Sequence, residues 1–294
     1  MHGFVQRCHC YTYITIMKFS LVICLYRGDN SLYFMEAFES ILNQSKTPNE
    51  IILVIDGPIG SDLINAVKKV QRSSAEVMIP FIIISLETNQ GHGIARSKGL
   101  EKCSFPIVAI ADSDDINHKH RFLKQIKYLE LNPEISVIGA QVCEIDNKSR
   151  QVLGFKMVPC SSVELSSYIK KRCPINQMTV MFRKGDVLSS GGYIDFYHNE
   201  DYFLWVRMYI NGYKFANIPE VLVDARVDSE FYNRRGGIKY FLSEVRLQKY
   251  MLLHNVISMP LYFVNISIRL LVQVLIPSKV RGILFKLFFR SKSI

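Results

Sequence analysis

Three carboxylates, Asp112, Asp114 and Asp115, occupy four consecutive positions directly after the apolar run Ile107 to Ala111. Crowded in this way they repel one another unless a cation shares the site. Hard divalent ions such as Mg2+ and Mn2+ take carboxylate, water and phosphate oxygens. The competing reading is an acidic turn that caps a following helix, since Asp and Ser both suit N-caps. A second acidic pair, Glu200-Asp201, opens the run Tyr202 to Trp205, which contains the single tryptophan. That pair either satisfies the positive end of a helix dipole or belongs with the first cluster in a functional site. A third stretch, Asn89 to Gly99, is punctuated by glycines and carries Arg96. A helix N-terminus beside a guanidinium favours an anion such as a phosphate. Gly91-x-Gly93 lacks the third glycine of a dinucleotide fingerprint, so it does not point to a nicotinamide or flavin cofactor.

The elements that must carry these groups alternate between strand and helix. Phe19 to Tyr26, Ile51 to Ile55, Val77 to Leu86 and Ile107 to Ala111 read as short buried strands. Between them, Leu32 to Asn43 places Phe34, Phe38, Ile41 and Leu42 on one helical face, and a helix after Ser61 carries Leu63, Ile64, Val67 and Val70. Repeated β-α alternation predicts a doubly wound, mostly parallel α/β sheet with right-handed crossovers. In such sheets ligands bind beyond the C-terminal strand ends, where Asp112 to Asp115 fall. Further on, the sequence predicts a helix over Lys119 to Leu131, strands at Ile135 to Ile145 and Pro174 to Phe182, and a helix over Glu164 to Lys171. A helix from Glu200 to about Gly212 and a last strand over Val221 to Val227 complete the pattern.

The chain has 294 residues, 49% of them hydrophobic, and a formal charge of +10, which calls for an anionic partner. Seven cysteines without a CxxC pair argue against a zinc ribbon and for reduced thiols. Residues 1–16 have no long apolar stretch and read as a disordered or mis-called leader, with Met17 as the start. Residues 17–228 form the expected catalytic domain, and 229–294 a basic helical region. Within it, Asn265, Arg269 and Gln273 recur at a spacing of four. They are expected to face water from an interfacial amphipathic helix, with Phe263, Leu270 and Val274 facing lipid. Lys279, Arg281, Lys286, Arg290 and Lys292 interleave with aliphatic and aromatic residues, which suits an anionic membrane surface. The basic residues gather in apolar helices and form no stripe with stacking aromatics, so nucleic acid is not the expected partner.

In order and spacing these motifs resemble family 2 glycosyltransferases of the GT-A fold, especially bacterial enzymes that build capsule, exopolysaccharide or O-antigen units. The resemblance covers about residues 19–226. It is carried by Leu21 to Tyr26, Ser40 to Ser45, Glu50 to Gly57, Asn89 to Gly99, Ala111 to Asp115, Gly191 to Tyr193 and Glu200 to Trp205. It implies a UDP-sugar donor, a lipid-linked saccharide acceptor, Mn2+ or Mg2+, and a peripheral position on the cytoplasmic face of the inner membrane. Residue by residue, Tyr26 and Arg27 would wall the nucleotide pocket and Asp56 would contact uracil and ribose. Asp112 and Asp114 would form the D-x-D pair at ribose, diphosphate and metal. Asp115 would extend that pair toward the sugar, with Arg96 near a phosphate. Asp201 would be the catalytic base, with Glu200 beside it. Asn176 and Gln177 are candidate acceptor contacts. The chain departs from the family in its single Asp56 followed by Gly57-Pro58, in Arg27 where an Asn is usual, and in Ser97. Two other classes remain alongside: a nucleotidyltransferase, disfavoured by the single glycine after the first strand, and a non-catalytic membrane-surface scaffold.

Overall fold

Alternate residues of the first strand face opposite layers, and this alternation organises the molecule. The computed structural model describes residues 17–227 and 236–277. β1 (Phe19–Leu25) sends Phe19, Leu21, Ile23 and Leu25 into one apolar cluster and Val22 into another. On the first face pack α1 (Ser31–Leu42), α2 (Ser61–Glu76) and α4 (Arg121–Leu131), the last through Phe122, Ile126 and Leu129. The opposite face is covered by α3 (His92–Lys102), α7 (Glu200–Ile210) and α8 (Ile238–Leu253), which bury Ala95, Trp205, Leu247 and Met251. Two helical layers therefore sandwich one sheet, as a strand pattern that is apolar on both faces requires.

β2 (Glu50–Ile55), β3 (Phe81–Ser85) and β4 (Ile107–Ala111) join β1 in the parallel order β3-β2-β1-β4. Beyond β4 the sheet is mixed, which corrects the expectation of a mostly parallel sheet. β8 (Met181–Arg183) runs antiparallel to both β4 and β6 (Ile135–Asp146). β6 pairs in parallel with the long β9 (Lys214–Val227). The two-residue β5 (Ile116–Asn117) closes antiparallel onto β9, and β7 (Val152–Lys156) forms a hairpin with β6. The expected last strand at Val221 is the second half of β9. The helix expected from Lys119 begins at Arg121, because residues 116–117 are spent on pairing with β9.

Two short helices, α5 (Ser162–Tyr168) and α6 (Lys184–Ser189), precede α7, and α9 (Met259–Leu270) follows α8. α9 inverts the expected amphipathic orientation. Asn265 and Gln273 are buried, at 4% and 9% exposure, while Phe263, Ile268 and Leu275 are more than half exposed. The polar side chains have partners inside. Asn265 Nδ2 donates to Gln248 Oε1 (2.8 Å) and to the Lys170 carbonyl (3.0 Å), and Arg269 Nε donates to Glu244 Oε2 (2.6 Å). Paired polar groups tolerate burial, so this helix is tied to the domain through its polar face and presents apolar side chains outward. Among the described residues no helix is long and apolar enough to cross a membrane. The leader, Arg234, Arg235 and the basic tail from Lys279 lie outside the described residues.

Candidate active site

The first βα turn is built by its own side chains. Asn30 caps α1, its Oδ1 accepting from the Leu32 and Tyr33 N–H groups (2.9 and 3.2 Å). Asp29 Oδ2 accepts from the Tyr26 N–H (2.8 Å). Tyr26 lies edge-on to His92, ring centroids 6.3 Å apart, so the first loop and the N-terminus of α3 meet. Asp29 also meets the β4 turn, where the Ser113 side chain bonds its carboxyl and the Asp112 charge acts on it, a role its place in a capping turn did not announce.

At the end of β4, Asp112 and Asp114 are half-buried and Asp115 is buried. Burial, then repulsion from Asp112 and Asp29, pushes the Asp114 carboxyl up to about 7. Burial is also the main cause for Asp29, which rises to about 6. Asp112, Asp114 and Asp29 crowd negative charge at the strand end, offset only in part by Arg96 at Asp112, and a divalent cation would relieve that repulsion. As the side chains stand, no group of three His, Cys, Asp or Glu among the described residues is arranged to hold a metal ion. Asp115 is buried beside this opening, its carboxyl raised by burial and then by the Asp114 and Asp112 charges, and its Oδ1 accepts from the Arg226 N–H (3.0 Å), which ties the turn to β9. This bond occupies one oxygen of the carboxylate expected to reach toward the sugar. Asp56 is also engaged internally, its two oxygens accepting from the Gln90 N–H (2.7 Å) and Gly91 N–H (2.9 Å). These bonds fix the loop before α3 around the carboxylate expected to contact uracil and ribose.

Arg96 joins the two acidic stretches. Its Nη1 donates to Glu200 Oε1 at 2.7 Å and its Nη2 to Asp112 Oδ1 at 3.4 Å, with 6% of its side chain exposed. These carboxylates raise its pKa against the opposing effect of burial. Residues 88 positions apart in the chain are thereby held on one guanidinium. Gly93 permits the approach: a Cβ there would sit 2.3 Å from the Ile194 carbonyl oxygen and 3.3 Å from Glu200 Cβ. The glycine spacing that suggested a phosphate loop is explained at Gly93 by helix packing.

Asp201 lies at the N-terminus of α7 on the far side of this bridge. Burial, then the Glu200 charge, raises its pKa, which moves a carboxylate toward the range in which it accepts protons well. It opens into a cavity of about 840 Å³ bounded by Lys156, Cys173, Tyr240 and α9. Asp112 and Asp114 do not line that cavity. Asp201 is tied to the β4 carboxylates through its chain neighbour Glu200, which Arg96 bonds together with Asp112. Asn176 and Gln177, expected to contact an acceptor, are buried; their amide groups donate to the Ala140 carbonyl (2.9 Å) and the Tyr193 hydroxyl (2.9 Å).

Beneath the turn lies Arg121, fully buried, with no carboxylate in contact among the described residues. It donates to the Ile110 carbonyl (2.7 Å), to Gln125 Oε1 (3.2 Å) and to Asn117 Oδ1. Burial pulls its pKa down to about 9, against the opposing charges of Asp112 and Asp115. It supplies fixed positive potential under the acidic end of β4. The sequence carried no hint of this, because an arginine at a helix start looks like a surface residue.

The molecule is thus a three-layer α/β sandwich in which clustered carboxylates at the end of β4 are linked through Arg96 to an acidic helix start. Residues 20–187 match the model of glycosyl transferase family 2, and the chain belongs to that family: it is a glycosyltransferase. It is 38% identical over 231 residues to an amylovoran biosynthesis glycosyltransferase, AmsE, of Erwinia amylovora, covering 79% of this chain and 84% of that one. It is 34% identical over 273 residues to an Escherichia coli UDP-Gal:alpha-D-GlcNAc-diphosphoundecaprenol beta-1,3-galactosyltransferase, covering 93% and 97%. In fold it is similar to the mannosyltransferase PcManGT of Pyrobaculum calidifontis, solved with GDP-Man and Mn2+. The TM-score is 0.60 at 14% identity, over 92% of this chain and 78% of that one.

Proposed function

We propose that this chain is an inverting, metal-dependent glycosyltransferase that moves a hexose or N-acetylhexosamine from a UDP-sugar to a lipid-linked saccharide in surface polysaccharide synthesis. The observation that carries the reading is the Arg96 bridge, which holds Asp112 and Glu200 on one side chain and so brings the donor end of β4 beside Asp201. The two curated relatives support the polysaccharide context, the UDP donor and the lipid-linked acceptor. Asp112 and Asp114, with Asp29 alongside, would hold Mn2+ or Mg2+, in keeping with the Mn2+ of the structural neighbour. When bound, the ion supplies Lewis-acid neutralisation of the charge that develops on a departing diphosphate.

The protein's own part is orientation and proton removal. Asp201 takes the proton from the acceptor hydroxyl as its oxygen bonds to the anomeric carbon. The bond from that carbon to the UDP oxygen breaks, and UDP leaves with the electron pair. A single displacement inverts the anomeric centre. Glu200, held by Arg96, keeps negative charge next to Asp201 and sustains its basicity. Asp201→Asn should lower turnover roughly 10²- to 10⁴-fold while Mn2+-dependent UDP binding, followed by calorimetry, persists. Full turnover by that variant would refute the base assignment.

The outward apolar side of α9 and the basic C-terminus together support a peripheral position on an anionic, cytoplasmic membrane face. Phe263 and Leu271 are exposed, so Phe263→Glu with Leu271→Glu should release the protein from anionic vesicles without loss of fold. Unchanged sedimentation with those vesicles would remove the surface reading.

A further inference from the structure

The stretch Ser40 to Ser45 closes α1, and its polar side chains turn to the segment that follows the β4 carboxylates. Ser40 Oγ donates to the Ala37 carbonyl (2.6 Å) and accepts from both the N–H (3.0 Å) and the Nδ2 (3.2 Å) of Asn117. Gln44 is buried; its Nε2 donates to the His118 carbonyl (2.8 Å) and its Oε1 accepts from the Phe122 N–H (3.3 Å). The Ser45 N–H donates to the Lys119 carbonyl (2.8 Å). One turn before Ser40, Glu36 takes the Arg226 guanidinium, whose Nε donates to the Asp114 carbonyl (2.8 Å). Glu36, Ser40 and Gln44 are spaced by four, so they share one side of the helix and of the turn that ends it. Phe34, Phe38 and Ile41 take the side that faces the core. The acidic turn is therefore held at two points, at Asp114 through Arg226 and at Asn117 directly.

At its other end α1 starts from the first βα turn, where Asn30 caps it and Asp29 meets Ser113 and Asp112. A helix of this length is a strut of about 18 Å. The two-residue β5 pairs with β9 only at Ile116 and Asn117, so the bonds from α1 supply a second set of restraints on the segment after the carboxylates. None of Glu36, Ser40 and Gln44 lines the cavity at Asp201.

We propose that Glu36, Ser40 and Gln44 are positioning residues that set the carboxylate turn against the first loop and so govern capture of the donor nucleotide. The assignment rests on the UDP-sugar reading above and adds to it residues that act through the backbone of the turn. Apparent affinity falls with the fraction of molecules in which the two loops stand in register.

The test follows UDP binding to the full chain in Mn2+ by calorimetry, well below Tm, with Tm measured alongside. Ser40→Ala leaves two N–H groups of Asn117 without their acceptor, and Gln44→Met does the same for the Phe122 N–H. Each should raise the Kd for UDP by roughly tenfold. Glu36→Ala strands the Arg226 guanidinium, 2% of whose side chain is exposed, and should act in the same direction. Ser40→Thr keeps the hydroxyl and should keep native affinity. Ser74→Ala is the control: it deletes a buried hydroxyl bond to the Ile79 carbonyl (2.7 Å) on α2, and should lower Tm while UDP affinity stays native. Native Kd in Ser40→Ala and Gln44→Met, with only Tm and the binding stoichiometry lowered, overturns the assignment and leaves the stretch as packing. Equal weakening by Ser74→Ala overturns it too, because any loss of stability would then suffice. If the native chain itself binds no UDP in Mn2+, the donor reading fails and this assignment falls with it.

Discussion

Replacing Arg96 by methionine removes a side chain that contacts both acidic stretches while leaving similar volume. Glu200, whose side chain is 12% exposed, then loses a partner at 2.7 Å, and Asp112, 31% exposed, loses one at 3.4 Å. Breaking a buried pair by deleting one member costs about 3–5 kcal/mol. Because water reaches Asp112, the lower figure applies, about 3 kcal/mol. For a domain of this size each kcal/mol lowers Tm by about 2–4 °C, so Arg96→Met should melt about 6–12 °C below the native chain in calorimetry. Turnover should fall as well. Asp201 adjoins Glu200, and a misplacement of about 1 Å at a catalytic group costs on the order of 10²-fold. Adding Glu200→Gln should recover part of the lost stability, because the stranded carboxylate is then gone. A Tm drop below about 2 °C, with the two substitutions additive within about 0.5 kcal/mol, would show that the guanidinium does not hold the halves together.

On the proposed binding of Mn2+ at the end of β4, the carboxylates there should make its effect depend on pH. Asp114 rises from 3.8 to about 7 and Asp29 to about 6, so the metal-free protein loses stability as pH rises from about 4 to about 7. Bound Mn2+ offsets that loss, so its stabilising effect on Tm should be larger at pH 8 than at pH 5.5; an equal shift at both would place the ion elsewhere. Gly93→Ala puts a methyl group against the Ile194 carbonyl, which should cost about 1–3 kcal/mol and reduce turnover more than UDP affinity. Native melting and kinetics from this variant would show that α3 and the 194–200 segment do not need their close approach.

The α/β class, the parallel strands β1 to β4, the helix starts at Asn30 and Glu200, and the residue types of the site were all legible in the residue pattern. Those features follow from apolar periodicity and from side chains that bond within a few positions of themselves. The pattern also put the aspartates at a strand end, where a parallel sheet exposes its ligands. Which groups engage each carboxylate was not legible there, because those contacts are made across the fold. Asp115 is bonded to Arg226, 111 residues away, and Asp56 to the backbone of a loop more than thirty residues on. The same holds for α9, whose polar residues looked fit for water until Gln248, Glu244 and the Lys170 and Lys171 carbonyls gave them partners inside. Period along a helix tells which side chains share a face; which face turns inward depends on where hydrogen-bonding partners wait, and those belong to distant parts of the chain.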